Sequence, residues 1–314
     1  MSDTTVAPSG EAGGGRWIRF IAYLFTALCG LACVAILAIV AVILGDIAVH
    51  GWPHLSWEFV STAPSADLQH GGIFPAIFGT VALVFIMTLA VVPLGVAAAV
   101  YLHEYARQES RLVHFVRLAL QNLAGVPAIV FGLFGLGLFI RFAGGSIDTL
   151  FFGGELTFRQ PCILWAALTL AVLTLPTVVV ATEEALRAVP RSYREAAYAM
   201  GATRWQVVWH VVLPQSIGGV LTGAILAISR GAGEVAPILF TGAAYYLKHL
   251  PSKLNDQFME LGYHVYVLTT QSPDVEATKP VLYATVLVLL LVTFGLNLAA
   301  VLIRSRIRRR LRSS

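Results

Sequence analysis

Lysine is almost missing from this chain: three occur in 314 residues, Lys248, Lys253 and Lys279. They follow Leu247, Ser252 and Thr278, so no Gly-Lys-Ser/Thr step exists to place an ammonium on terminal phosphates. A P-loop is thereby excluded, and the chain cannot burn nucleotide by that route. Cysteine is scarce too. Cys29 and Cys33 sit one helical turn apart in an apolar run and Cys162 stands alone, which is no disulfide framework and no metal set. There is no H-E-x-x-H and no Ser–His–Asp set in an obvious register, which removes the commoner routes to a membrane-embedded hydrolase. His50 and His54 flank Gly51-Trp52-Pro53, where a regular helix is disfavoured, and His70 follows; a solvated loop is expected there. Trp52 and Trp57 suit membrane-interface anchors.

Charge is low overall, at 12% of residues, whereas 57% are hydrophobic and the mean hydropathy is +0.78. Those values belong to integral membrane proteins. A crossing helix needs about 20 mostly apolar residues. Six such runs are expected near Ile21–Leu44, Ile73–Leu102, Leu123–Ile140, Cys162–Ala181, Ser216–Phe240 and Val281–Ile303. Residues 1–15 read as a disordered tail, 16–70 as the first span and an external loop, 71–303 as the main membrane domain, and 304–314 as a basic tail. The first apolar run is too long for a signal peptide and is expected to stay.

Positive charge sorts to one side of a six-span arrangement. Arg16 and Arg19 precede the first run, Arg107, Arg111 and Arg117 follow the second, and Arg187, Arg191, Arg194 and Arg204 follow the fourth. Six more arginines close the chain between Arg304 and Arg312, whereas Gly45 to Gly72 holds no Lys or Arg. Both termini and the loop after the fourth run are therefore expected in the cytoplasm. The terminal arginines read as a topology anchor and not as a nucleic-acid patch.

That fourth loop contains Glu195-Ala196-Ala197, then Gly201, then Leu213-Pro214. Ser192-x-x-Glu195 and Thr203-x-x-Gln206 each read as a capping box, with Gly201 ending the first short helix and Pro214 opening the next membrane segment. The pattern resembles the signature loop of ABC-transporter permeases, with Val211 where that family more often has Ile. The resemblance implies an all-α type I ABC importer permease, six transmembrane helices with a cytoplasmic coupling helix that docks on a separate ATPase. No cofactor is expected in this chain, since ATP would be bound by that other subunit.

Inside the fifth run lies Arg230-Gly231-Ala232-Gly233-Glu234-Val235-Ala236-Pro237. An arginine within a bilayer faces protein or water, and Glu234 is one turn away to pair with it. The guanidinium fork suits oxyanions, and a competing carboxylate would ease release. A pair that only fixes helix packing is the other reading. Pro93, Pro127, Pro176 and Pro237 are expected to break or kink spans, while Gly132, Gly135 and Gly137 suit close helix packing.

Gly71-Gly72-Ile73-Phe74-Pro75, the stretch Arg230 to Gly242 and His264 to Pro273 resemble segments of PstA-type phosphate permeases. That family implies one half of an inorganic phosphate import pathway in a bacterial inner membrane. It also implies a second PstC-type permease, a PstB-type ATPase dimer and an external PstS-type phosphate-binding protein. A same-fold permease for sulfate or molybdate fits the same arginine chemistry. So does a non-conducting scaffold that docks the ATPase.

Overall fold

The computed structural model describes residues 14–65 and 71–312, built from helices. The expected disordered tail falls mostly outside the described residues, as does His70; Gly14 and Gly15 already open the first helix. Residues 14–50 form one compact unit and 51–312 another. The first unit lies within α1 (Gly14–Gly51), whose apolar window reaches a mean hydropathy of 3.0. His50 lies in its last turn, and a single 3₁₀ turn, Trp52–His54, follows.

The second unit opens with α2 (Trp57–Ser61), started by Ser56, whose hydroxyl accepts the Phe59 N–H at 3.1 Å. α3 (Phe74–Val100) contains Pro93 and ends in a widened π-turn, Tyr101–Tyr105. α4 (Arg111–Leu123) buries Val113 and exposes Leu112 and Phe115. α5 (Ala128–Gly135) continues through π-helical Leu136–Gly144 into α6 (Gly145–Phe151). α7 (Ile163–Arg187) is followed by the short α8 (Arg191–Ala199). α9 (Arg204–Val207) runs through a π-turn, Val208–Val212, into α10 (Leu213–Gly231). Then come α11 (Leu261–Thr270) and α12 (Val275–Arg312).

Among the described residues six helices are long and apolar enough to cross a membrane: Arg19–His54, Phe74–Tyr105, Ala128–Phe151, Ile163–Arg187, Arg204–Gly231 and Val275–Arg309. The number matches the expectation; several ends differ, most of all those of the third and fifth spans. The third span starts at Ala128, because Val126 N–H turns back to Leu123 O and Pro127 sets the start of α5, leaving Leu123 at the end of amphipathic α4. That span also runs past Arg141 to Phe151, so Arg230 is not alone as a cation within the apolar segments. The fifth span ends at Gly231, nine residues short of Phe240 and begins as early as Arg204. Pro127 and Pro237 therefore lie outside helices, whereas Pro93 and Pro176 lie inside them. The basic tail is a helical continuation of α12 as far as Arg312.

α7 is the hub. α3 packs on it where Gly95 meets Val178, and α10 where Gly219 meets Ala185 and Gly223 meets Ala181. Leu83, Met87, Leu170, Val178, Ala227, Ile238 and Phe258 form the central core. Small residues at such seams let backbones approach closely, which substitutes for the hydrophobic drive that lipid removes. Gly132 and Gly135 seat α5 against Pro237, Phe240 and Thr241, whereas Gly137 faces open space.

The segment between α10 and α11 is irregular, yet Ile238 and Phe258 in it are fully buried. It caps α7: the amides of Cys162, Ile163 and Leu164 donate to Thr241 O, Asp256 O and Leu254 O at 2.9, 2.9 and 3.2 Å. Non-helical backbone is tolerated at such depth only when its polar groups are satisfied by protein in this way. Gly79 of α3 abuts this segment: a Cβ there would run into Met259 O and the Phe258 ring. Gly79→Ala should lower the thermal midpoint of the purified protein, at a cost of about 1–3 kcal/mol for overpacking. Gly137→Ala, with nothing near its Cβ, should match wild type or exceed it slightly.

Candidate functional site

Two regions hold the residues singled out by sequence: the α8–α10 loop and the end of α10. In the loop, Pro190 and not Ser192 precedes α8, so the expected first capping box is not formed and Ser192 stands exposed in the first turn. A proline with φ −58° presets that start and needs no amide of its own. The second capping box is formed. Gln206 N–H donates to Thr203 Oγ1 at 3.4 Å and Thr203 N–H donates to Gln206 Oε1 at 2.8 Å.

Gly201 has φ +82° and ends α8 in a two-bond cap. Its N–H donates to Tyr198 O at 2.9 Å, and Ala202 N–H to Ala197 O at 3.1 Å. Of the motif residues, Glu195 and Ala196 face outward, whereas Ala197 packs inward with Ala202 against Ala99, Leu186 and Val207. A shallow groove of about 430 Å³ runs between the two short helices, lined by Ala197, Met200, Gly201 and His210 among others. Leu213 and Pro214 lie within one continuous helix and do not open a new one. The π-turn lets Leu213 N–H reach Val208 O, which takes up the register change that a mid-helix proline requires.

At the other end, Arg230 falls in the last turn of α10, where the helix dipole favours a cation. Gly233 N–H returns to Arg230 O at 3.2 Å, and the chain leaves the helix before Glu234. Arg230 Nε donates to Glu234 Oε1 at 3.3 Å, with 36% and 23% of the two side chains exposed. A pair this open adds little to folding stability. Gly233 borders open space, whereas Gly231 is needed for contact with the Met87 side chain and leaves no room there.

Val235, next to Glu234, abuts Gly262, and this brings in two groups that the sequence reading passed over. Glu260 caps α11, accepting the amides of Gly262 and Tyr263 at 2.8 and 2.6 Å, and is 3% exposed. Burial pushes its carboxyl up to about 7, against the pull of those two donors. His264, one turn on and equally enclosed, has Nδ1 without a hydrogen-bond partner, and burial pushes its imidazole down to about 4. The available signal was an acid directly before Leu261-Gly262 in an otherwise apolar stretch. His264 stands on α11.

A family model described as "Binding-protein-dependent transport system inner membrane component" matches residues 91–313. The "Probable ABC transporter permease protein YqgI" of Bacillus subtilis is 33% identical over 267 residues, covering 81% of this chain and 86% of that protein. The "Phosphate transport system permease protein PstA 1" of Mycobacterium tuberculosis is 33% identical over 242 residues, 77% of this chain and 72% of that one. Among solved structures, a chain of a bacterial alginate ABC transporter superposes with a TM-score of 0.63 at 14% identity, over 92% of this chain and 95% of its own. That likeness establishes the fold.

Glu260 and His264 give opposed pH dependences. Glu260 is raised, from an ordinary value near 4.5, so its contribution to stability is complete below about pH 4.5 and lost as pH climbs through about 7. His264 is lowered, from 6.5, so its contribution is present above about 6.5 and lost as pH falls through about 4. Between those values the two slopes oppose each other. Glu260→Gln should unmask the histidine, and stability should then rise with pH by up to about 1.4 kcal/mol per unit across that window. Thermal melting in detergent at pH 5 and 6.5 checks this; parallel curves for variant and wild type would refute it.

Proposed function

The chain belongs to the family of binding-protein-dependent transport system inner membrane components, and on that premise we propose that it is a membrane-spanning subunit of an ATP-driven importer of inorganic phosphate. It supplies half of the translocation pathway. A second PstC-type permease supplies the other half, a PstB-type ATPase dimer the energy, and a PstS-type phosphate-binding protein the substrate from outside. The chain has no Gly-Lys-Ser/Thr step, so hydrolysis belongs to the ATPase. Both termini and α8 face the cytoplasm of a bacterial inner membrane, with the arginines at the chain ends and in the α8–α10 loop on that side.

The observation that supports the substrate reading is the Arg230–Glu234 pair. It is intact, part-exposed and set where α10 gives way to irregular chain. Arginine offers paired donors to two oxygens of a tetrahedral anion. Glu234 already holds one of those donors. An arriving phosphate competes with that carboxylate, and the carboxylate reclaims the guanidinium as the anion leaves. The coupling reading rests on α8, with Glu195 and Ala196 outward and the groove beside Gly201 open to a partner surface.

In proteoliposomes holding the complete complex, Arg230→Ala should cut phosphate uptake at least tenfold while the amount of complex stays near normal. Arg230→Lys keeps the charge without the fork and should transport weakly; Glu234→Gln should lose less than Arg230→Ala. Full uptake by an Arg230→Met, Glu234→Met double variant would sink the assignment of this pair to the substrate. For the loop, Gly201→Val puts a β-branched residue at φ +82°, a strain of about 1–3 kcal/mol. Membrane insertion should be normal, but co-purified ATPase should fall severalfold. Gly201→Asn, which tolerates that backbone region better, should retain most of it.

A further inference from the structure

Where α3 ends, its last turn is widened: Ala106 N–H donates to Tyr101 O at 2.8 Å, five residues back. Glu104 on that turn is held against α8, with only 10% of its side chain exposed. Arg194 of α8 donates Nη2 to Glu104 Oε1 at 2.9 Å. The same guanidinium reaches α7, donating Nη1 to Val189 O at 2.6 Å and Nη2 to Leu186 O at 2.9 Å. Leu186 lies in the last turn of α7 and Val189 two residues beyond its end, where acceptors lack partners within the helix and a cation is favoured. One side chain therefore joins the ends of α3, α7 and α8.

A second fork stands beside it. Arg117 of α4 donates Nη2 to Glu183 Oε1 of α7 at 3.2 Å and to Leu102 O of the widened turn at 3.4 Å. Among the described residues, Arg194 is the one residue of α8 whose side chain hydrogen-bonds to α3 and α7. The inward contacts of α8 itself, through Ala197 and the adjoining Ala202, are apolar and lack direction; on α9, Arg204 lies over the Tyr105 ring at 5.7 Å from its centroid. The apolar contacts let α8 slide. A charge-assisted fork with three acceptors does not.

Resting on the reading of α8 as the ATPase-docking helix, we infer that Arg194 is the positioning residue that makes α8 move the ends of α3 and α7 as one. Without it, α8 still docks and still shifts when the ATPase closes, but the shift is lost in the apolar seam. Hydrolysis then runs without the matching rearrangement of the spans. Glu104 is the acceptor that ties in α3, so its loss releases one of the two spans and leaves the other held.

The test is the ATP hydrolysed per phosphate imported, measured in proteoliposomes with the complete complex and its phosphate-binding protein. Arg194→Met should raise that ratio at least fivefold. Glu104→Gln, which removes the carboxylate charge at constant bulk, should raise it by a smaller factor. The double variant should be no worse than Arg194→Met alone, since both changes open one contact. A ratio unmoved in both single variants, with uptake and hydrolysis falling only in step with the amount of complex, assigns Arg194 to folding and overturns the inference. Effects that multiply in the double variant also overturn it. Should Arg194→Met fail to accumulate in the membrane, Glu104→Gln decides alone, because the carbonyl bonds of Arg194 remain. A wild-type complex that hydrolyses ATP and imports no phosphate would instead overturn the proposed function, whatever the variants do.

Discussion

The close approach of α3 and α10 to α7 is the constraint on which the rest of the second unit depends. Gly95, Gly219 and Gly223 each place bare backbone against a neighbour, at Val178, Ala185 and Ala181. Lipid offers no hydrophobic reason for helices to associate, so this contact area is the main attraction available. The consequences spread in both directions along α7. At one end the irregular segment caps its first turn through Thr241, Leu254 and Asp256. At the other, Arg194 binds Leu186 O in the last turn and Val189 O just beyond it. Neither arrangement would hold if α3 and α10 stood a side chain further away.

The charged and capping groups described above gather where helices begin or end, whereas the polar side chains buried mid-helix, such as Thr169 and Thr174, are hydroxyls bonded to their own helix backbone. Glu260 caps α11, Arg230 closes α10, Glu104 and Arg117 meet around the end of α3, and Thr203 with Gln206 opens α9. At a terminus each group meets backbone donors or acceptors that already lack partners, so the cost of desolvation is shared. The middle of the core is left to Leu83, Met87, Leu170 and Val178.

The number of spans and the shape of the signature loop were legible from sequence, because both rest on local rules. Run length marks a crossing helix, and Gly201 marks a left-handed cap whatever surrounds it. The ends of the third and fifth spans were not legible. Hydropathy continues from Leu123 into α5 and from Gly231 to Phe240 without a break, and only backbone geometry separates helix from turn there. Ser192 had the spacing of a cap, but Pro190 took the position first. The Arg230–Glu234 contact followed from a separation of four residues, although the helix expected to carry both ends between them. Glu260 and Arg194 find their partners only in three dimensions. Arg194 meets an acceptor 90 residues away, and no periodicity announces that.

The fifth span runs without interruption from Arg204, beside the cap at Gly201, to Gly231, beside Arg230. At about 1.5 Å per residue its 28 residues form a rod some 42 Å long. A rod of that length is a lever. Tilting it by about 5° around its Arg204 end carries Arg230 sideways by about 3.4 Å, comparable to the 3.3 Å that now separates Arg230 from Glu234. Because Glu234 lies past the end of the rod, on chain packed against α11, the two charges need not travel together. A small rotation at one end of the span is thus on the scale of the ion pair at its other end.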